Sequence, residues 1–230
     1  MTVDFAFFHV GEDFTLPKML CESIRITNPN SNIIQLTDKR TPILSELVTK
    51  FLRVDGNKDN LMFLRSKAYQ SYDIDKPTLF LDTDMLVIKK IDENKIFNDK
   101  NYIFLERFYD GLLNPEYLKK HKLEQYIGKT WKQFCPYLGC FIGAKDQTIL
   151  QEIHKNYIKL DQHYRKWNGD QMALYETFKK FNEIGLANEK YYANPIKEDV
   201  NLDDIFILHF KGIKKDMMKP YFDRIFNNGK

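Results

Sequence analysis

Asp82 and Asp84 stand two residues apart, between the apolar runs Leu79–Leu81 and Met85–Ile88. Alternate side chains of a strand share a face, and two acids on a buried face are costly. The spacing therefore predicts a strand end or tight turn that aims both carboxylates at a shared cation. Mg²⁺ and Mn²⁺ take oxygen ligands of this kind. Two solvated turn acids would give the same local sequence; the apolar clamp on both sides brings a site level with that reading. His209 closes a later apolar run and offers an imidazole to the same set, which would leave open positions on an ion for a substrate. Asp84 and His209 are both expected at strand ends, outside the packed interior. Past His209, Gly212 lets bare backbone approach an anion, and Lys215 can hold a phosphate as a point charge. Metal, lysine and exposed amides together are equipment for a diphosphate. The plainer alternatives are a structural histidine and a solvated basic tail carrying Lys214 and Lys215.

The elements that must position these groups alternate. Val3–His9 reads as a strand, Leu16–Ile26 as an amphipathic helix with Pro17 in its first turn, and Asn32–Leu36 as a second strand. Pro42 opens an expected helix to Phe51. Asn60 is placed to cap a helix over Leu61–Tyr72, whose Leu61, Leu64, Ala68 and Tyr72 form an apolar stripe. The strand carrying the acids follows, then Asn101–Glu106. The polar and aromatic stretch Gly111–Lys132 reads as helix and loop. Tyr137–Ala144 reads as a buried strand, in which Gly139 and Gly143 mark either ligand approach or tight packing. A long helix is expected over Thr148–Tyr164. Asn168-Gly169-Asp170-Gln171 restarts the chain into a helix to Phe181, where the commonest job of an aspartate such as Asp170 is to cap the helix. A last strand lies within Val200–Phe210, and a basic tail runs to Lys230. This is the β-α-β-α pattern of a mostly parallel sheet between helices, where ligands gather at the carboxyl ends of the strands.

With 230 residues the chain is expected to form one domain, residues 1–230. A net charge of +3, with lysines scattered among acids, argues against nucleic-acid binding. No apolar stretch is long enough to span a bilayer. Asp4 and the missing basic start argue against a signal peptide. Cys21, Cys135 and Cys140 lack metal-site spacing and cannot all pair, so free thiols in a reducing cytoplasm are expected.

Four motifs in order resemble the family 8 glycosyltransferases, a GT-A fold group that includes glycogenin and bacterial lipooligosaccharide galactosyltransferases. Leu79-Phe80-Leu81-Asp82-Thr83-Asp84 looks like the family D-x-D. Arg65 matches an arginine kept near the donor sugar. Asn168-Gly169-Asp170-Gln171 resembles the D-Q element that faces the donor sugar and reaction centre. His209-Phe210-Lys211-Gly212-Ile213-Lys214-Lys215 is similar to H-F/Y-x-G-x-x-K. The resemblance spans Val3 to Lys215. It implies a single GT-A (Rossmann-like) nucleotide-diphospho-sugar transferase domain. Asp82, Asp84 and His209 would bind Mn²⁺ or Mg²⁺, with both aspartates also facing the donor. Gly212 and Lys215 would hold the diphosphate, and Arg65, Asp170 and Gln171 would serve catalysis. Two departures stand out. Tyr137-Leu138-Gly139 replaces the family's asparagine-serine-glycine, and His9–Phe14 does not follow the base-binding segment.

The resemblance implies a metal-dependent hexosyltransferase-type enzyme moving sugar from a UDP-sugar to a glycan or glycolipid acceptor with retention. Its expected place is the cytoplasm, with peripheral contact at the inner membrane face left open. Tyr109, Tyr117 and Trp131 are the aromatic candidates for an acceptor platform. Two other classes stay open. An apolar strand followed by D-x-D also opens haloacid-dehalogenase-type phosphatases, but these carry a second acidic pair after a later strand, whereas Asp203-Asp204 precedes one. A non-catalytic nucleotide-sugar binding protein would carry the same binding residues.

Overall fold

A computed structural model describes residues 2–56, 60–165, 168–196 and 201–227. The main-sheet strands are β1 (Asp4–Phe8), β2 (Ile33–Asp38), β3 (Lys50–Val54) and β4 (Thr78–Leu81). After β4 comes the short β5 (Met85–Val87), then β6 (Tyr102–Glu106), β7 (Tyr137–Ala144), β8 (Ile184–Asn188), β9 (Asn194–Pro195) and β10 (Ile207–His209). Among the described residues seven strands form one sheet in the order β3-β2-β1-β4-β7-β6-β8, and β5-β10-β9 form a second. In the large sheet β7 runs against both its neighbours, while the other pairs are parallel. The fold is the expected mostly parallel α/β arrangement.

The sheet is buried on both faces, and the side-chain period shows it. Along β4, Leu79 and Leu81 enter one apolar cluster and Phe80 the other. Along β6, Ile103 and Leu105 divide from Phe104 in the same way. Strands buried on both sides read as continuous apolar runs, which is why β4 and β7 were legible. A third, small cluster of Leu113, Leu118, Leu123, Phe134 and Cys135 belongs to the stretch between β6 and β7. All three cysteines are free and buried. No helix among the described residues is long and apolar enough to cross a membrane.

Several boundaries agree with the sequence. Helices span Thr15–Thr27 and Leu61–Ser71, and the Asn60 side chain accepts from the Phe63 N–H at 3.1 Å as the cap of the second. The expected helix over 42–51 does not form. The buried Gln35 side chain receives the Leu44 N–H at 2.9 Å and donates to the Pro42 carbonyl at 2.8 Å. It takes up backbone groups there, only one turn closes at Leu44–Val48, and Lys50–Val54 pairs with β2 instead. The long helix stops at Lys159, not Tyr164. There the Arg165 guanidinium binds the carbonyls of Leu160 and Ile158, both at 2.6 Å. The next helix, Gly169–Phe178, also ends short of Phe181. Strand β8 was not anticipated, because its sequence IGLAN has little β-propensity. Of the expected last strand only Ile207–His209 pairs, and Val200 lies outside the described residues, as do the last three residues of the expected tail. Residues 212–222 are helical turns that bury Met218 and Phe222.

Phe80 is 1% exposed at the centre of β4. We expect Phe80→Ala to destabilise the chain by about 3–5 kcal/mol, measured by urea denaturation. A loss near zero would mean that this strand is not packed on both faces.

Candidate active site

A cavity of about 610 Å³ opens beside the carboxyl ends of β1 and β4. Arg65, Asp82, Asp84, Asp170, Gln171, His209, Gly212 and Lys215 all line it. Four separate segments converge there. The D-x-D follows β4 directly and is locked by backbone bonds on both sides. The Asp82 N–H donates to the Cys140 carbonyl of β7 at 3.1 Å, and the Phe210 N–H donates to the Asp84 carbonyl at 2.9 Å. The antiparallel register that sets His209 opposite Met85 brings the imidazole to the acids.

His209 Nε2 lies 3.2 Å from Asp84 Oδ1, and Lys215 Nζ lies 3.3 Å from Asp84 Oδ2. One ligand atom each from Asp82, Asp84 and His209 fall within 4.8 Å of one another. Asp84 is 7% and His209 4% exposed. This corrects the expectation that both lie outside the packed interior: they are buried where β5 and β10 pair. Burial pushes the Asp84 carboxyl up, but the hydrogen bond and charge of His209, with Lys215, hold it below the usual carboxylate range. Burial raises Asp82 above that range, and Arg65 offsets it only in part while the Asp84 charge adds to it. Two carboxylates and an imidazole at this spacing, one acid short of counter-charge, fit a hard divalent cation.

Behind the acids Arg65 makes two ion pairs. Its Nη1 bonds Asp82 Oδ1 at 2.8 Å, and its Nη2 bonds Asp170 Oδ2. Burial works against the Arg65 charge, but Asp82 and Asp170 outweigh it and push the guanidinium pKa up. Gly139 makes room for this pair, because a Cβ there would run into Asp170 Oδ2 and crowd Arg65 Nη2 at 3.2 Å. Its neighbour Gly143 serves packing instead, with Ile103, Leu79 and Phe97 at 3.1–3.2 Å from the place a Cβ would take. Asp170 is thus an ion-pair partner; it does not cap its helix, whose N-cap position is Asn168. Its Oδ1 is buried without a hydrogen-bond partner.

The sequence reading gives no role to three titratable lining residues: His9, Arg107 and Lys211. Arg107 stands one residue past β6, the same charged position at an apolar strand end that singled out Asp82. Lys211 bonds the buried Glu189 at 2.7 Å, and the other oxygen of Glu189 accepts from the N–H groups of Phe108 and Tyr109. His9 Nε2 is buried and unpartnered, and burial lowers the pKa of that ring. Of the aromatic candidates Trp131 lines the cavity, but Arg107 lies over its ring at 5.3 Å and Tyr117 packs at 5.5 Å. The Tyr117 hydroxyl accepts from Asn168. Neither Tyr109 nor Tyr117 lines the cavity.

Comparison with family models and with curated proteins finds no match for this sequence. Solved structures do match. A glycosyltransferase involved in the glycosylation of the major capsid of PBCV-1 covers 97% of this chain and is itself covered completely, with a TM-score of 0.61 at 12% identity. This chain has a glycosyltransferase fold. The glycosyltransferase GlyE of Streptococcus pneumoniae TIGR4 matches 99% of it at TM-score 0.61 and 14% identity. The bifunctional glycosyltransferase WbbM matches 98% at TM-score 0.56 and 13% identity. The chain spans 63% of GlyE and 50% of WbbM. The pair Asp203-Asp204 is exposed and lies outside the cavity, so it does not supply the second acidic pair that the phosphatase alternative needs there.

Electron paramagnetic resonance of free Mn²⁺ provides a direct check on the cation site. We expect the parent chain to quench the signal of the hydrated ion, and Asp84→Asn and His209→Ala to weaken that binding severalfold or more. Both variants should fold, though with reduced stability because both side chains are buried. Equal Mn²⁺ binding by His209→Ala and the parent would leave His209 a structural residue.

Proposed function

We propose that this chain is a metal-dependent, family 8-type glycosyltransferase. It would take sugar from a UDP-sugar and transfer it, with retention, to a hydroxyl of a glycan or glycolipid. The observation that carries this reading is the convergence of Asp82, Asp84, His209 and Lys215 in one cavity of a glycosyltransferase fold. Asp82, Asp84 and His209 would hold Mn²⁺ or Mg²⁺, which when bound supplies positive charge to the departing diphosphate.

The chain's own residues account for the rest. Lys215 presents a half-exposed charge beside Asp84, placed to neutralise phosphate oxygens as negative charge grows on the leaving group. Gly212 adopts φ +61°, a left-handed conformation that strains other residues. It turns the chain between His209 and Lys215 so that both face one cavity. Arg65 grips one oxygen of Asp170 and leaves the other free to accept a hydroxyl of the donor or acceptor sugar. Among the described residues no glutamate lines the cavity, the amide of Gln171 is a poor nucleophile, Asp82 and Asp84 are given to the cation, and the Arg65 ion pair lowers the nucleophilicity of Asp170. The arrangement favours front-face substitution, in which the acceptor hydroxyl attacks on the side the diphosphate leaves.

Lys214 bonds the Ile196 carbonyl, so it is a tether and not tail charge. This sharpens the comparison of the two lysines. We expect Lys215→Ala to lower turnover on the order of a hundredfold, since the charge it meets is largest in the transition state. Lys214→Ala should cost about 1 kcal/mol of stability and keep most of the turnover. Hydrolysis of UDP-sugars in Mn²⁺, followed as UDP release, reads both; matching kinetics for the two variants would remove Lys215 from the mechanism.

Thermal denaturation tests the donor itself. UDP with Mn²⁺ should raise the melting temperature, because a ligand that binds only the folded state stabilises it, and EDTA should cancel most of the gain. Undiminished stabilisation by UDP in EDTA would exclude a metal-bridged diphosphate, and a preference for GDP or CMP would overturn the choice of base.

A further inference from the structure

We infer that Arg107 fixes the side-chain amide of Gln171 so that its nitrogen, and not its oxygen, is presented to the substrate; this rests on the glycosyltransferase reading above. Arg107 follows β6, whose register against β7 shifts between Phe104 and Leu105. An irregularity of this kind re-aims the end of a strand. The Arg107 backbone N–H then bonds the Pro136 carbonyl at 2.9 Å. Its side chain is held from two more sides, by the Cys135 carbonyl at 3.0 Å from Nε and by the Trp131 ring beneath the guanidinium. From this fixed position Nη2 reaches Gln171 Oε1 at 2.9 Å.

The chemistry of the pair settles the orientation of the amide. A guanidinium has five N–H donors and no acceptor. The oxygen and nitrogen of a glutamine are assigned by their hydrogen-bonding partners, and only the oxygen can face a group that donates alone. The nitrogen must turn away. Gln171 lines the cavity, and among the described residues its Nε2 has no partner. The cation also draws electron density from the amide. That weakens the oxygen as a nucleophile and strengthens the N–H groups as donors.

Gln171 thus offers a hydrogen bond to an oxygen of the donor sugar or of the attacking hydroxyl. Asp170 and Gln171 are treated alike by two arginines. Arg65 occupies one oxygen of Asp170 and leaves an acceptor, while Arg107 occupies the oxygen of Gln171 and leaves a donor. Arg107 acts through Gln171 and is a positioning residue.

Glutamate at position 171 separates the alternatives, because a carboxylate accepts from Arg107 and is a better nucleophile than an amide, yet cannot donate. The test uses the full chain, Gln171→Glu, Arg107→Met, Arg107→Lys and the double variant Arg107→Met/Gln171→Glu. UDP-glucose and UDP-galactose hydrolysis in Mn²⁺ is measured with thermal denaturation of the free proteins. We expect Gln171→Glu to lower kcat on the order of a hundredfold. Arg107→Met should lower kcat with little change in KM, and Arg107→Lys should recover part of that loss. In denaturation, Gln171→Glu should be tolerated better with Arg107 present than in the Arg107→Met background, as contacting residues are not additive. Parental or higher activity in Gln171→Glu would make the oxygen the working atom and overturn the inference. So would identical melting shifts for Gln171→Glu in the two backgrounds. A parent chain that hydrolyses neither donor counts against the glycosyltransferase reading, and the denaturation cycle then decides the Arg107–Gln171 contact alone.

Discussion

Two carboxylates side by side at the end of a buried strand repel each other and resist desolvation, and the surrounding structure answers that cost. Positive or donating groups reach the acids from three directions: Arg65 from a helix, His209 from the second sheet and Lys215 from the turns that follow it. Charges taken from water are tolerated only when paired and hydrogen-bonded. The two acids are not equivalent. His209 and Lys215 outweigh burial at Asp84, while burial prevails over Arg65 at Asp82. The acid left short of counter-charge is the one nearest Arg65, whose second hand is given to Asp170. A single guanidinium thereby ties the candidate cation site to Asp170.

The packing of the sheet was legible because both its faces are dry. Continuous apolar runs marked β4 and β7, and Asn60 announced its helix. The charged residues at the ends of apolar runs found most of the cavity. What stayed hidden depended on partners distant in sequence. Gln35 takes the amide and carbonyl at Leu44 and Pro42, and no local pattern in 42–51 foretells that. The run Met85–Ile88 read only as an apolar clamp after the acids, and nothing local tells that Met85–Val87 pairs with Ile207–His209 in a separate sheet. That pairing also buries Asp84 and His209, so their depth was misjudged for the same reason. Arg107 and Lys211 gave the right signal in kind, but their meaning comes from Gln171 and Glu189, far along the chain. Gly139 was noticed, and only the structure separates its role from that of Gly143.

The direction of β7 has a consequence for the rest of the site. Because it runs against β4 and β6, its first residues, not its last, lie beside the acids. Gly139 is therefore near the start of the strand, where it admits the Arg65–Asp170 pair.

The chain accordingly leaves the sheet at the cavity rim after β6 and returns to the same rim at the start of β7. The neck of this excursion is pinned by Arg107 to Pro136 and Cys135, and the loop between them carries its own small apolar cluster. Once the ends of a loop are fixed, its length is thermodynamically cheap to change. Apart from Trp131, which lies under Arg107, and Tyr117, which accepts from Asn168, the segment could change in length while the strands and the acids keep their places. What this side of the cavity presents can then vary without rebuilding the sheet that positions the acids.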